Sequence, residues 1–279
     1  TSDITEGCQP LTVNFTNSSQ TVESTNYTWN FDLGSTENTN DLNITQTYIN
    51  ETLSLQNKEI ILIGETDLGC FTTDTLVISV FPKVEPNFNI PEEICGPVEI
   101  TPENISQGVS NYQWIAHNNQ TFNVFEPAIM YSIGNTLPVV FDLKLIGTSS
   151  FGCVDSIEKS IEIVPIPNVN FSTTPNQMVF PDNTVAINNL TSFMPEWDYN
   201  WEFGNGLTSE EYQPCLIEYD TWGTYEINLV VTNRFCVDSI QQSIVIAPPT
   251  PRAFFSGDFN GCVPLNVQFT NDSEWGETY

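Results

Sequence analysis

The chain has 279 residues with 35 acidic and six basic side chains, a formal charge of −29, and 39% hydrophobic residues. Such a surface repels phosphate backbones and anionic membranes, which argues against nucleic-acid binding, while the hydrophobic content and regular aromatic spacing argue against a disordered chain. No run of about 20 apolar residues is present, so no membrane-inserted helix is expected.

Short β-branched runs punctuated by 18 Pro and 15 Gly, with no sustained helical periodicity, read as all-β. The first strand follows Gly7-Cys8-Gln9-Pro10, where Leu11, Val13 and Phe15 alternate onto one face. An aromatic strand comes next, Tyr27-x-Trp29-x-Phe31, and then an oxygen-rich turn with Asp32, Glu37 and Asp41. A long apolar strand (Glu59–Ile63), a turn bearing Cys70, a last strand (Leu76–Val80) and a proline-bearing linker (Phe81–Pro86) complete the unit.

The pattern then repeats. Cys70, Cys153 and Cys236 are 83 residues apart, as are Phe88, Phe171 and Phe254, and Trp29, Trp114 and Trp201 follow at steps of 85 and 87. A period this long marks an array of small domains. The expected boundaries are 1–82, 83–165 and 166–248, with 249–279 opening a fourth unit cut off at Tyr279, so the chain reads as part of something longer. Trp29, Trp114 and Trp201 are the expected core of the three units. Short proline linkers predict a semi-rigid succession of domains.

Each complete unit holds two cysteines: Cys8 and Cys70, Cys95 and Cys153, Cys215 and Cys236. The simplest account is one bridge inside each unit in those pairs, with Cys262 left for a partner outside the chain. Two cysteines per small β domain point to an oxidising, extracytoplasmic compartment.

Tyr199-Asn200-Trp201-Glu202-Phe203-Gly204-Asn205-Gly206, followed by Tyr219-x-x-x-Gly223-Thr224-Tyr225 and an alternating strand, resembles the PKD (polycystic kidney disease) domain. That resemblance implies a tandem array of immunoglobulin-like β-sandwiches. Gly69-Cys70, Gly152-Cys153-Val154-Asp155 and Gly261-Cys262-Val263-Pro264 are similar to cysteine-bearing arrays in giant surface proteins of Bacteroidetes, such as gliding-motility adhesins of the SprB type secreted by the type IX system. The resemblance implies a non-catalytic stalk of an extracellular, cell-surface adhesin. It also implies partners in other repeats of the same chain, in secretion and motility machinery at the outer membrane, and in surface polysaccharide.

Asp74-Thr75-Leu76, Asp155-Ser156-Ile157 and Asp238-Ser239-Ile240 are similar to the O-glycosylation sequon of that phylum, which makes Thr75, Ser156 and Ser239 candidate acceptors, although a turn Asp opening a strand gives the same pattern. Asn-x-Ser/Thr sequons occur at Asn14, Asn17, Asn26, Asn43, Asn50, Asn104, Asn119, Asn189 and Asn271, many of them expected by chance in this composition. The lone histidine, His117, has no Gly-x-Ser-x-Gly elbow to accompany it, and the pairs Glu92-Glu93 and Glu210-Glu211 do not recur between units. No enzyme and no cofactor are expected. Structural calcium, held by Asp32, Glu37 and Asp41 or by Glu202 and Asn205, is the one metal reading the oxygens allow. The rival function is an accessory module of a secreted hydrolase, a spacer or a polysaccharide binder in which Trp222 and Trp275 stack on sugar.

Overall fold

Period-two alternation places every second side chain on one face and leaves the backbone to be satisfied by a neighbouring strand. The computed structural model describes residues 1–20, 25–32, 36–38 (backbone only), 41–134 and 136–276, and it is all-β apart from a short 3₁₀ turn at His117–Asn119. Two compact units are present: Thr1–Ile94, Val98–Ser132 and Val139–Ile163 in the first, and Cys95–Pro97, Ile133–Pro138 and Val164–Tyr279 in the second.

The apolar runs fold as three long antiparallel hairpins: Gln56–Thr66 with Phe71–Val80, Val139–Thr148 with Val154–Pro165, and Gly223–Asn233 with Cys236–Ala247. Each anchors a five-stranded sheet of one topology. In the third repeat the order is Gln177–Val179, Cys236–Ala247, Gly223–Asn233, Trp197–Glu202, Thr208–Ser209. The first of these strands runs parallel to the last strand of its repeat, with Met178 opposite Ile246, as Gly7 stands opposite Val80 in the first repeat. A second sheet carries Phe171–Thr174, Thr184–Asn189 and Ile217–Glu218. Between the sheets Val185, Ile227, Leu229, Val231 and Ile244 are fully buried, so the third repeat is a sandwich with an apolar interior.

Trp114 and Trp201 occupy the same place in successive cores. Each meets the Phe that opens its repeat edge to face, Phe88 at 5.0 Å and Phe171 at 5.2 Å. Each also donates its indole N–H to a carbonyl ten residues downstream, of Val124 and Glu211 respectively, at 3.0 Å. Trp29 is buried against Phe15 and Phe31. In the opening of the fourth repeat Phe254 is exposed.

Five of the Asn-x-Ser/Thr sequences have a structural role that composition hides. Asn17, Asn50, Asn104, Asn189 and Asn271 each accept the backbone N–H two residues on, of Ser19, Thr52, Ser106, Thr191 and Ser273. In the last three the hydroxyl then accepts an N–H from the strand before it, that of Asn87, Asn170 or Phe254. The pair closes an Asx turn onto the neighbouring strand, and Asn17, Asn104 and Asn189 are buried in doing so.

Tyr219 lies wholly inside the third core, its hydroxyl donating to the Phe203 carbonyl at 3.0 Å. Burial, with Tyr225 beside it, pushes its phenol up to about 12. The neutral form is therefore favoured on folding. Its stabilising contribution is complete below the unfolded value near 10 and is lost as pH rises from about 10 through 12. Thermal melts between pH 9 and 12 should show the third repeat losing stability across that window, and Tyr219→Phe should flatten the dependence.

Candidate functional site: cross-repeat disulfides and an aromatic cleft

Cys8 is bonded to Cys153 and Cys95 to Cys236, with Cα–Cα separations of 5.6 and 5.7 Å. This corrects the expected pairs Cys8–Cys70, Cys95–Cys153 and Cys215–Cys236 and the expectation of one bridge inside each sandwich. Cys70, Cys215 and Cys262 are free and exposed.

Strand length explains the correction. Gly7 pairs with Val80, so Cys8 stands at the end of the sandwich from which the linker leaves. Cys70 sits in the hairpin turn at the opposite end, where Glu65 faces Phe71. Nine residues of strand separate the two ends, about 30 Å at ~3.3 Å per residue, whereas a disulfide needs Cα atoms within about 7 Å. The same reasoning separates Cys95 from Cys153, at the two ends of the Val154–Pro165 strand. The hairpin turn that meets Cys8 is that of the next repeat, and it carries Cys153.

The rest of the first junction is built around that bond. Phe81 in the linker stacks on Phe151 in the turn, with ring centres 4.8 Å apart. Lys83 donates its backbone N–H to Thr52 and its ammonium pairs with Glu51 and Glu85, both at 3.3 Å. Glu85 and Gln107 exchange backbone hydrogen bonds. Beside them Gly108 has φ +69°, and a Cβ there would lie 2.2 Å from the Lys83 carbonyl oxygen, so only glycine permits the approach. At the second bond, Asn233 donates to the Pro165 carbonyl at 2.9 Å and Asp238 accepts the Val169 N–H at 3.1 Å.

The third repeat has no early cysteine because Val179 stands where Cys8 stands in the first. The next residue, Phe180, lies edge to face against Trp222 at 5.8 Å and Trp275 at 6.0 Å. These two half-exposed indoles, with Pro248, Pro249, Pro251 and Gly276, line an open and mainly apolar cleft of about 510 Å³.

The other sequence candidates are not drawn together. Thr75, Ser156 and Ser239 are exposed on separate strands. Asp74 and Asp155 accept the N–H of Thr75 and Ser156 respectively. The His117 ring packs on Tyr131 and Phe141 at 5.1 and 5.0 Å. Asp32 pairs with Lys58 at 3.5 Å, and Asn205 accepts the Leu207 N–H within its turn and donates to the Glu218 carbonyl on a separate strand. The side chain of Glu37 lies outside the described residues. Among the described residues no three His, Cys, Asp or Glu side chains cluster to hold a metal, and no helix is long and apolar enough to cross a membrane.

No family model and no curated protein matches this chain. Among solved structures it is similar to three N-terminal domains of the bacteriophage RB49 highly immunogenic outer capsid protein (11% identity, 89% of this chain and 97% of that one, TM-score 0.41). It is also similar to mouse cadherin-23 EC22-24 (8% identity, 88% and 97%, TM-score 0.35) and to the calcium-stabilised adhesin with which an Antarctic bacterium binds ice (11% identity, 88% and 71%, TM-score 0.29).

Proposed function

We propose that the chain is a non-catalytic, PKD-like repeat segment of a large secreted surface adhesin or filament, divided at 1–82, 83–165, 166–248 and 249–279, in which it serves as a semi-rigid stalk. The observation that carries this reading is the bonding of Cys8 to Cys153 and of Cys95 to Cys236, which ties repeat to repeat instead of closing each one on itself. A bridge within a sandwich strengthens one core. A bridge between sandwiches restrains the joint, and a stalk needs stiff joints. Disulfides support an oxidising compartment, and a charge of −29 keeps repeats from adhering to one another. A Bacteroidetes gliding adhesin exported by the type IX system, with glycans on the exposed Thr75, Ser156 and Ser239, is the concrete form of the proposal. Immunogold labelling of intact source cells with antibody to this segment should decorate the exterior. Label seen only after permeabilisation would contradict it.

The cleft favours a second reading, an accessory module that binds polysaccharide. Two indoles beside three prolines offer flat apolar faces for sugar rings, and the negative surface selects a neutral glycan. On that reading Trp222→Ala and Trp275→Ala each weaken binding to a neutral β-glucan about tenfold, as measured by calorimetry. No heat from the unsubstituted chain would remove it.

A further inference from the structure

The chain carries both halves of the observed junction a second time, unpaired. The acceptor is the turn at Cys70. It is built like the turn at Cys153: the cysteine N–H donates to Thr66 Oγ1 at 3.2 Å, as Cys153 does to Ser149 Oγ at 3.1 Å. Its carbonyl accepts the Thr66 N–H at 2.9 Å, as that of Cys153 accepts Ser149 at 2.8 Å. Gly69 and Gly152 precede with φ +81° and +85°. The difference is coverage. Phe151 stacks on the preceding linker and Cys153 is buried, whereas Leu68 is 93% and Phe71 73% exposed around a free thiol. The donor is Gly261-Cys262-Val263-Pro264-Leu265, matching Gly7-Cys8-Gln9-Pro10-Leu11. The local fold agrees too: a Cβ on Gly261 would fall 2.5 Å from Leu265 Cδ1, and one on Gly7 would fall 2.7 Å from Leu11 Cδ1.

We infer that Cys262 of one copy of this chain bonds Cys70 of another, joining copies head to tail through the junction already seen between Cys8 and Cys153. Early cysteine to the turn cysteine of the following repeat is the rule in both observed bonds, and Cys262 to Cys70 continues it with the second copy as the following repeat. The contact is heterologous, so an assembly of any length keeps one unused acceptor at one end and one unused donor at the other and stays open-ended. Bond formation uses a small-molecule disulfide as oxidant. The Cys70 thiolate attacks it, forming a mixed disulfide and expelling one thiolate. The Cys262 thiolate then displaces the second, so two protein thiols lose two electrons and two protons while the oxidant becomes two thiols. The inference stands on the two bonds and concerns the 279-residue chain by itself.

The test incubates the purified 279-residue chain in a glutathione redox buffer and follows it by non-reducing electrophoresis and peptide mapping. Dimers, trimers and higher species linked by Cys70–Cys262 peptides are expected. Cys70→Ser or Cys262→Ser alone abolishes the ladder, Cys215→Ser leaves it intact, and an equimolar mixture of Cys70→Ser and Cys262→Ser chains yields dimers and nothing larger. All three positions are exposed, so these variants keep their cores. A chain that stays monomeric, a Cys70–Cys262 bond within one chain, or oligomers joined Cys70–Cys70, Cys262–Cys262 or through Cys215 would overturn the inference.

Discussion

Pulled from its two ends, the oxidised chain is expected to extend to about 380 Å, and the reduced chain to about 1,000 Å, at ~3.5 Å per residue. The bonds run from Cys8 to Cys153 and from Cys95 to Cys236, and the two loops overlap. The shortest covalent path therefore goes from Thr1 to Cys8, across to Cys153, back along the chain to Cys95, across to Cys236, and on to Tyr279. Only about 110 of the 279 residues lie on it. Under load, most of the first sandwich and much of the third are shielded even after their cores have opened. Force spectroscopy with and without a reductant measures the difference directly. Bridges confined to single repeats would leave about 140 residues on the path and an oxidised length near 480 Å, so the oxidised value separates the two connectivities.

Trp201→Ala is expected to cost the third repeat about 3–5 kcal/mol, the range for removing a fully buried large aromatic. The indole is 1% exposed, meets Phe171 edge to face at 5.2 Å, lies near-parallel to Phe203 at 6.2 Å, and satisfies the Glu211 carbonyl. Truncation removes the apolar burial, both ring contacts and that hydrogen bond together. Small domains are stable by only about 5–15 kcal/mol, so this is a large share of the total. For a domain of this size the melting temperature should fall by at least about 12 °C. Trp201→Phe keeps much of the burial and should fall between the two. Trp114→Ala should match Trp201→Ala, because Phe88 and Val124 surround that indole as Phe171 and Glu211 surround Trp201. Melting curves for the three variants check the argument.

The sandwich was legible in the sequence because its signals are local. Alternation in Leu11–Phe15 and Tyr225–Val231, the aromatic strands and the proline linkers each declare a strand or a joint without reference to anything distant. The disulfide connectivity is not a local property. A repeat of 83 residues puts the same two kinds of cysteine at the same two places in the first two units, so the period fits a bond within a repeat as well as one to the next. What decides between them is that Cys8 and Cys70 lie at opposite ends of strands about ten residues long, a fact that appears only once the hairpin register Gln56–Val80 to Glu65–Phe71 is known. The Asn turns were missed for another reason. Asn17, Asn104, Asn189 and Asn271 keep the repeat's spacing, but they stand among other Asn-x-Ser/Thr sequences in a chain rich in both residue types. Comparing the repeats at those positions would have separated these four from the rest. The cleft was half visible: Trp222 and Trp275 stood out as aromatics outside the main register, while their shared contact with Phe180, beside the position where the early cysteine is missing, depends on the fold.

The central claim is that covalent bonds tie the first repeat to the second and the second to the third. Proteolysis of the alkylated, non-reduced chain followed by mass spectrometry tests it without further assumptions. Linked peptides containing Cys8 with Cys153 and Cys95 with Cys236, alongside alkylated Cys215, are the expected result. Peptides linking Cys8 with Cys70, Cys95 with Cys153 or Cys215 with Cys236 would contradict it.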